Sequence, residues 1–583
     1  MKKLDRRDFL KYSSYGLATL VVSSGIAGCS GDSDTINDDS NIIDMSFTHG
    51  VASGDPLSDR VIIWTRAVPT DTQTHDTLDV SFEIATDESF TSITNNGSAQ
   101  VTATGDYILK VDVTNLDPAI TYYYRFISHG QTSITGKTKT LPSDTAEIDK
   151  VKLAIVSCSN YTNGYFNVYT EAAKIADLDA VVHLGDYIYE YKMGEYATEN
   201  AIAIGRELPE DNDVELIELE DYRKRYALYR TDSGSLTLHQ NVPFIVVPDD
   251  HEVANDTYID GAENHDPDTE GDFFVRKANA LQAYFEWMPI RPFTEDDEET
   301  LYRSFAWGDL VNLIMLDTRL IGRSKQLTLS DPSFFNSDGT FNSDAFIAAV
   351  SDSERTMLGI DQFDWLMSNL AASSATWQVL GQQTLMGRMN LPIEILLGLG
   401  AATDISVALT ELSTIKARML AGDTSVTGEE RARLLAAAPY NLDAWDGYQY
   451  ERDVILNSTL AQAKNLVVLA GDTHNAWANN LTTLDGTAAG VEFATSSVSS
   501  PGLEYYLGLD EESIVGLEQG LSLLIDDLQT ANLYHRGFMT VTFTPQQAEA
   551  QWVFIDNIDD TEYGTIEGKS FSFTSLANTN TLV

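Results

Sequence analysis

Apolar runs that stop abruptly on a metal-ligand type of side chain constrain this sequence more than any other feature. KLAIVSC ends at Cys158, LDAVVHLGD at Asp186, PFIVVPDDH at Asp250 and His251, and NLVVLAGDTH at Asp472 and His474. Each run is apolar without alternation, the pattern of a strand covered on both faces. LVNLIMLD (310–317) and WQVLGQQ (377–383) are of the same kind, and amphipathic stretches such as NVYTEAAKIAD, KANALQAYFEWM and GIDQFDWLMSNLAA fall between the runs. Strands separated by helices rather than by hairpins predict an α/β (mixed α+β) unit over 150–583, a strand core covered by helices on both faces.

In open α/β folds the loops at the carboxyl ends of the strands converge on one crevice. A single strand-terminal Asp is ordinarily a turn former or helix cap, but four such ends together with a thiol predict a polynuclear metal site. Cys158 as thiolate, Tyr189 as phenolate and His474 as imidazole suit a soft-to-borderline or strongly charged ion such as Fe(III). The carboxylates beyond that ion's needs, Asp186 and Asp250 among them, suit harder divalent ions bound through oxygen. Such cations would also account for the acids gathered in PDDHEVAND (248–256) at a strand end.

The N-terminus, MKKLDRRDFLKYSS followed by an apolar stretch from Tyr15 to Ala27, has the form of an export signal, too short for a bilayer core of about 30 Å. The pair Arg6 and Arg7 resembles a twin-arginine signal. Ile26, Ala27, Gly28 and Cys29 resemble a lipobox, so residues 1–29 read as signal, Cys29 as a lipidated mature N-terminus and 30–44 as a flexible tether. The chain has two cysteines; with Cys29 lipidated, Cys158 has no disulfide partner and is either buried packing or chemically used. The expected location is the periplasm or cell surface, with membrane contact only through the lipid on Cys29.

From 45 to 141, short alternating runs (VIIWTRAV, LDVSFEIA, TYYYRFIS) broken by turn residues predict an all-β sandwich without a ligand cluster. Residues 391–440 are helical by pattern and read as an insertion or lid. With 88 Asp and Glu against 37 Lys and Arg, the net charge of −51 repels a phosphate backbone and excludes a nucleic-acid scaffold role. The chain is expected to be a monomer.

The blocks SCSNYTNGYFNVY (157–169), HLGDYIYEY (183–191), PDDHEVAND (248–256), AYFEWMPIRP (283–292), MLDTR (315–319), WDGYQYER (445–452) and GDTHNAW (471–477) resemble, in order, those of PhoD-like alkaline phosphatases. FTHGVASGDPLSDRVIIWTRAVP (47–69) resembles the start of that family's N-terminal β domain. The resemblance implies a calcineurin-like metallophosphoesterase core holding one Fe3+ and two Ca2+, and hydrolysis of a phosphate ester substrate outside the cytoplasm. It makes Cys158, Asp186, Tyr189 and His474 ligands, with Asp186 bridging and Asp250 also facing a metal. Asn160, Asn255 and Asp472 are second-rank candidates for metal or substrate.

On that reading a metal-bound hydroxide attacks phosphorus and His251 protonates the leaving group. Glu252 would orient His251, and Asp249 would support the site. Arg223, Arg291 and Arg319 are expected to pair with acids, and His183 to be packed in its strand. The main expectation is an alkaline phosphatase acting on monoesters. The alternatives are a phosphodiesterase or phospholipase D-like hydrolase and, without turnover, a metal-binding surface lipoprotein.

Overall fold

The computed structural model describes residues 20–22, 43–70, 75–292, 299–400 and 405–583. The signal and tether read from the sequence, with Cys29, lie outside the described residues except for Leu20–Val22 and the last two tether positions.

Every apolar run named above is a strand, and the strand core is doubled: two sheets lie face to face. In the first, Val151–Val156, Ala180–His183 and Phe244–Val246 run parallel, and Arg536–Phe543, Gln547–Ile555 and Ser572–Leu576 continue the sheet beyond Val151–Val156. In the second, Val311–Met315, Trp377–Gly381, Asn465–Ala470 and Ala488–Ala494 are parallel neighbours. Leu153, Ile155 and Val182 of the first sheet share a buried core with Leu313, Val379, Val467 and Leu469 of the second.

The intervening residues face outward. Ala154, Val156 and Val181 pack with Val168, Tyr226, Phe285 and Trp287, which come from helices Asn167–Ala172, Leu219–Tyr229 and Phe273–Trp287. Ile314, Leu380 and Val468 pack with Leu366, Leu370, Ile455 and Leu456, from helices Gly359–Ala372 and Gln449–Ala461. A strand between a sheet and a helix layer is as evenly apolar as one between two helix layers, so the sequence pattern does not report the doubling.

The N-terminal β region encloses Val61, Ile63, Leu109, Val111 and Val113 against Leu78, Val80, Phe82, Ile84, Tyr124 and Phe126. Its strand Val51–Gly54 pairs with Phe244–Val246 through Gly54 and Phe244, so one sheet runs through both regions. A side chain at Gly54 would stand 2.4 Å from the Pro289 carbonyl oxygen and 2.7 Å from that of Phe244, which only glycine permits. Trp64 donates across the same junction to the Glu286 carbonyl at 2.8 Å.

Within 391–440 the described residues include three helices, Ile393–Gly400, Ser406–Leu420 and Gly428–Leu435. The segment is closed at its neck by an antiparallel pairing of Asn390–Pro392 with Ala437–Pro439. Leu409, Leu412 and Ile415 pack with Ile514, Leu517 and Leu521 of the later helix Glu511–Leu524. Among the described residues no helix is long and apolar enough to cross a membrane.

Candidate metal centre

The strand ends converge. Cys158, Asp186 and the Asp249–Glu252 turn follow three neighbouring strands of the first sheet, while Asp472 and His474 follow Asn465–Ala470 of the second. Doubling the sheet therefore brings ligands from two layers to one cleft. Four of these residues stand in the left-handed backbone region that side-chain-bearing residues avoid: Cys158 at φ 61°, Asp186 at 55°, Asp472 at 63° and His474 at 61°. Each costs on the order of 1–3 kcal/mol, which the surrounding packing sustains.

Gly185, at φ 99°, allows the turns to close, because a side chain there would lie 2.5 Å from the Asp249 backbone nitrogen. Glu252 knits the same turns together. Its carboxylate accepts from the backbone N–H of Asp186 (3.1 Å), Asp249 (2.7 Å) and Tyr187 (2.5 Å).

Three groups of potential ligands result, each with donor atoms within 4.8 Å of one another: Cys158, Asp186 and His474; Asp186, Asp250 and His251; and Asp249, Asp250 and Asp472. Asp186 belongs to the first two and Asp250 to the last two. Tyr189 joins the first group, its O–H donating to Asp186 Oδ2 at 2.9 Å with His474 Nε2 at 3.1 Å. His474 Nδ1 lies 2.6 Å from the Pro501 carbonyl oxygen, so that nitrogen carries the proton and Nε2 keeps its lone pair for a metal. Asp186 Oδ1 and Asp249 Oδ2 are buried without a hydrogen-bond partner.

The guanidinium at the middle of the cluster is Arg319, fully buried. It donates through Nε to Asp249, through Nη1 to both Asp443 oxygens (2.9 and 2.8 Å) and through Nη2 to Asp472 at 2.7 Å. Arg323 adds a second cation, paired with Asp443, and two positive charges do not neutralise Asp186, Asp249, Asp250, Asp443 and Asp472. Burial, reinforced by Asp186, pushes both the Cys158 thiol and the Tyr189 phenol well up. In the protein alone both hold their protons, and a bound cation would let them ionise. The orphaned carboxylate oxygens, the excess of buried acid and the sulfur, oxygen and nitrogen donors together fit bound metal.

His251 sits beside these groups with Nδ1 2.7 Å from Glu190 Oε2. Burial works against its protonation, but Glu190, Asp250 and Asp186 outweigh it and raise the imidazole well above its ordinary range. The residue aligning His251 is thus Glu190 rather than Glu252. Glu190 also accepts from the Asn255 backbone N–H (2.8 Å) and Asn264 Nδ2 (2.9 Å).

The Asn160 side chain caps a short turn, accepting from Thr162 N at 3.1 Å, and Asn255 Nδ2 donates to Glu263. Arg223 and Arg291 pair with Glu286 and Asp112, as expected. His183 is buried, with Nδ1 accepting from Gly185 N at 3.2 Å.

Sequence reasoning missed Glu190 and Ser500. Ser500 Oγ donates to the Tyr189 hydroxyl at 2.6 Å and lies 3.0 Å from the Cys158 carbonyl. Glu190 adjoins Tyr189 in the GDYIYE block and was within reach as a neighbouring acid, whereas the small polar run SSVSSP (496–501) carries no chemical signature.

The chain resembles known proteins over most of its length. The model of the PhoD-like phosphatase family matches residues 153–552, and that of the PhoD-like phosphatase N-terminal domain matches 33–142. Alkaline phosphatase D of Bacillus subtilis (strain 168) is 33% identical over 559 residues, covering 94% of this chain and 84% of its own. A solved structure titled as that of PhoD superposes with a TM-score of 0.72 at 30% identity, covering 93% of this chain and 92% of its own. The chain is a phosphoesterase and belongs to the PhoD-like phosphatase family.

Proposed function

We propose that the protein is an exported, metal-dependent alkaline phosphatase that releases inorganic phosphate from phosphate monoesters at the cleft described above. The observation that carries this is the set of three overlapping ligand groups around Asp186 and Asp250, with more carboxylates than Arg319 and Arg323 neutralise. Cys158, Asp186, Tyr189 and His474 would hold Fe3+, whose charge suits thiolate, phenolate and carboxylate together. Asp249, Asp250 and Asp472, sharing Asp186 with the first site, would hold two Ca2+ through oxygen. Such cations neutralise the nonbridging phosphate oxygens and lower the pKa of water.

The protein's own groups do the rest. Glu252 fixes the backbone of the Asp186 and Asp249 turns, Ser500 holds the Tyr189 oxygen, and Glu190 fixes the rotation of His251 and keeps its proton at Nδ1. His251 Nε2 delivers a proton to the leaving oxygen.

Purified protein assayed on a monoester and a diester, with Fe3+ and Ca2+ and again after chelation, tests the reading. Monoester turnover lost on chelation is expected; faster diester turnover would make it a phosphodiesterase, and activity indifferent to chelation would sink the metal role. Replacing His251 by Gln is expected to lower kcat roughly 100-fold or more on alkyl monoesters, and much less on esters whose leaving group departs without protonation. Equal loss on both would remove His251 from the proton-donor role.

Export rests on the paired arginines and Cys29, outside the described residues. An intact mass beginning at a diacylglyceryl-modified Cys29 is the expected result, and an unprocessed N-terminus would refute it.

A further inference from the structure

We propose that Tyr196 and Tyr506 form a stacking wall that selects phosphate esters whose leaving group carries an aromatic ring. The inference rests on the reading of the cleft at Asp186 and Asp250 as the phosphate ester site, since the wall starts at His251, which stands in the same group. The His251 ring is enclosed by Tyr189, 4.3 Å away between centroids, and by Tyr191 at 5.5 Å. On its remaining side Tyr196 lies nearly parallel to it, at 4° and 6.4 Å, and Tyr506 lies parallel to Tyr196 at 12° and 6.4 Å. Ring planes of one orientation therefore lead from His251 to the surface.

The outer end is open. Tyr506 is 60% exposed and Tyr505 44%, an unusual placement for two adjacent aromatic side chains. The segment is nonetheless held in place. The Tyr505 hydroxyl donates to Glu199 at 2.6 Å, Glu504 accepts from Gly502 N at 3.1 Å and from Arg536, and Leu503 N donates to Asn475 Oδ1 at 3.3 Å. It begins directly after Pro501, whose carbonyl oxygen orients His474, so the wall is referenced to the metal centre.

A flat ring attached to the leaving oxygen finds parallel π-faces on this path. A glycerol-type leaving group has no face to offer them, and the gain from stacking is withheld from it. The ring could belong to an aryl alcohol or to a nucleoside base; the recognising chemistry is the same.

Steady-state kinetics of the metal-loaded protein, Tyr506→Ala and Tyr506→Phe on phenyl phosphate, a nucleoside 5′-monophosphate and glycerol phosphate test the wall. Tyr506→Ala is expected to lower kcat/KM for ring-bearing substrates roughly tenfold relative to glycerol phosphate, mainly through KM, and Tyr506→Phe to restore it. A relative loss confined to one ring substrate upholds the wall and identifies the source of the ring. An unchanged ratio among the three substrates overturns the wall while leaving the phosphatase reading intact. No hydrolysis of any of them by the unaltered protein overturns that reading and the wall with it.

Discussion

Asparagine in place of Asp186 is expected to abolish metal binding across the whole centre and to lower activity on the order of a thousandfold or more. Asp186 is the carboxylate shared by the Cys158–His474 group and the Asp250–His251 group, so no site on either side is complete without it. Cys158→Ala should differ: the thiol belongs to the first group only, and the variant is expected to lose iron while retaining calcium. Metal analysis of both variants separates the two results, and equal metal content in Asp186→Asn and the unaltered protein would remove Asp186 as the bridge.

Misfolding is not the expected cause of the loss. Asp186 lies buried among Asp249, Asp250 and Glu252 with its Oδ1 unpartnered, so removing its charge relieves repulsion in the metal-free protein. Metal-free Asp186→Asn is therefore expected to resist denaturant at least as well as the metal-free parent. A variant that is both inactive and markedly less stable would point to a structural role instead.

Arg319→Met is expected to have the largest effect on stability. The guanidinium is fully buried and touches Asp249, Asp443 and Asp472, which come from three separate segments of the chain. Asp249 is itself fully buried, where desolvation drives its carboxyl well up and Arg319 opposes that rise. Asp443 keeps Arg323, but Asp249 and Asp472 are left uncompensated, and removing the cation from such partners typically costs about 3–5 kcal/mol. Methionine keeps most of the side-chain volume, so lost packing contributes little. Denaturant unfolding followed by tryptophan fluorescence, with and without metal, reads the effect. A midpoint unchanged in the metal-free protein would mean that the three carboxylates are held by something other than Arg319.

The parts of the centre legible in the sequence share one property: each interrupts a continuous apolar run. Cys158, Asp186, Asp250 and His474 stand where a buried strand ends, and a polar side chain there breaks a pattern that is otherwise uniform. Tyr189 was reached from the company it keeps in GDYIYE. Glu190, Ser500 and Arg319 had no such signal. Glu190 lies beside one tyrosine among several, Ser500 lies in a run of small polar residues, and Arg319 is one arginine among many that pair with acids. Each acts through a contact with a residue distant in sequence: His251, Tyr189 and the three aspartates.

The same division holds for the fold. The sequence by itself determined where six of the core strands lie, that they are covered on both faces, and which ligand types stand at their ends, because apolar periodicity is a local property of the chain. Only the tertiary structure decided that the strands divide into two facing sheets and that the N-terminal β region joins one of them through Gly54. It also decided that Glu190 rather than Glu252 aligns His251. These are choices among partners that bury equal apolar surface or offer equal carboxylates, and nothing local in the chain distinguishes them; the close approach of backbones at Gly54 and Gly185 does.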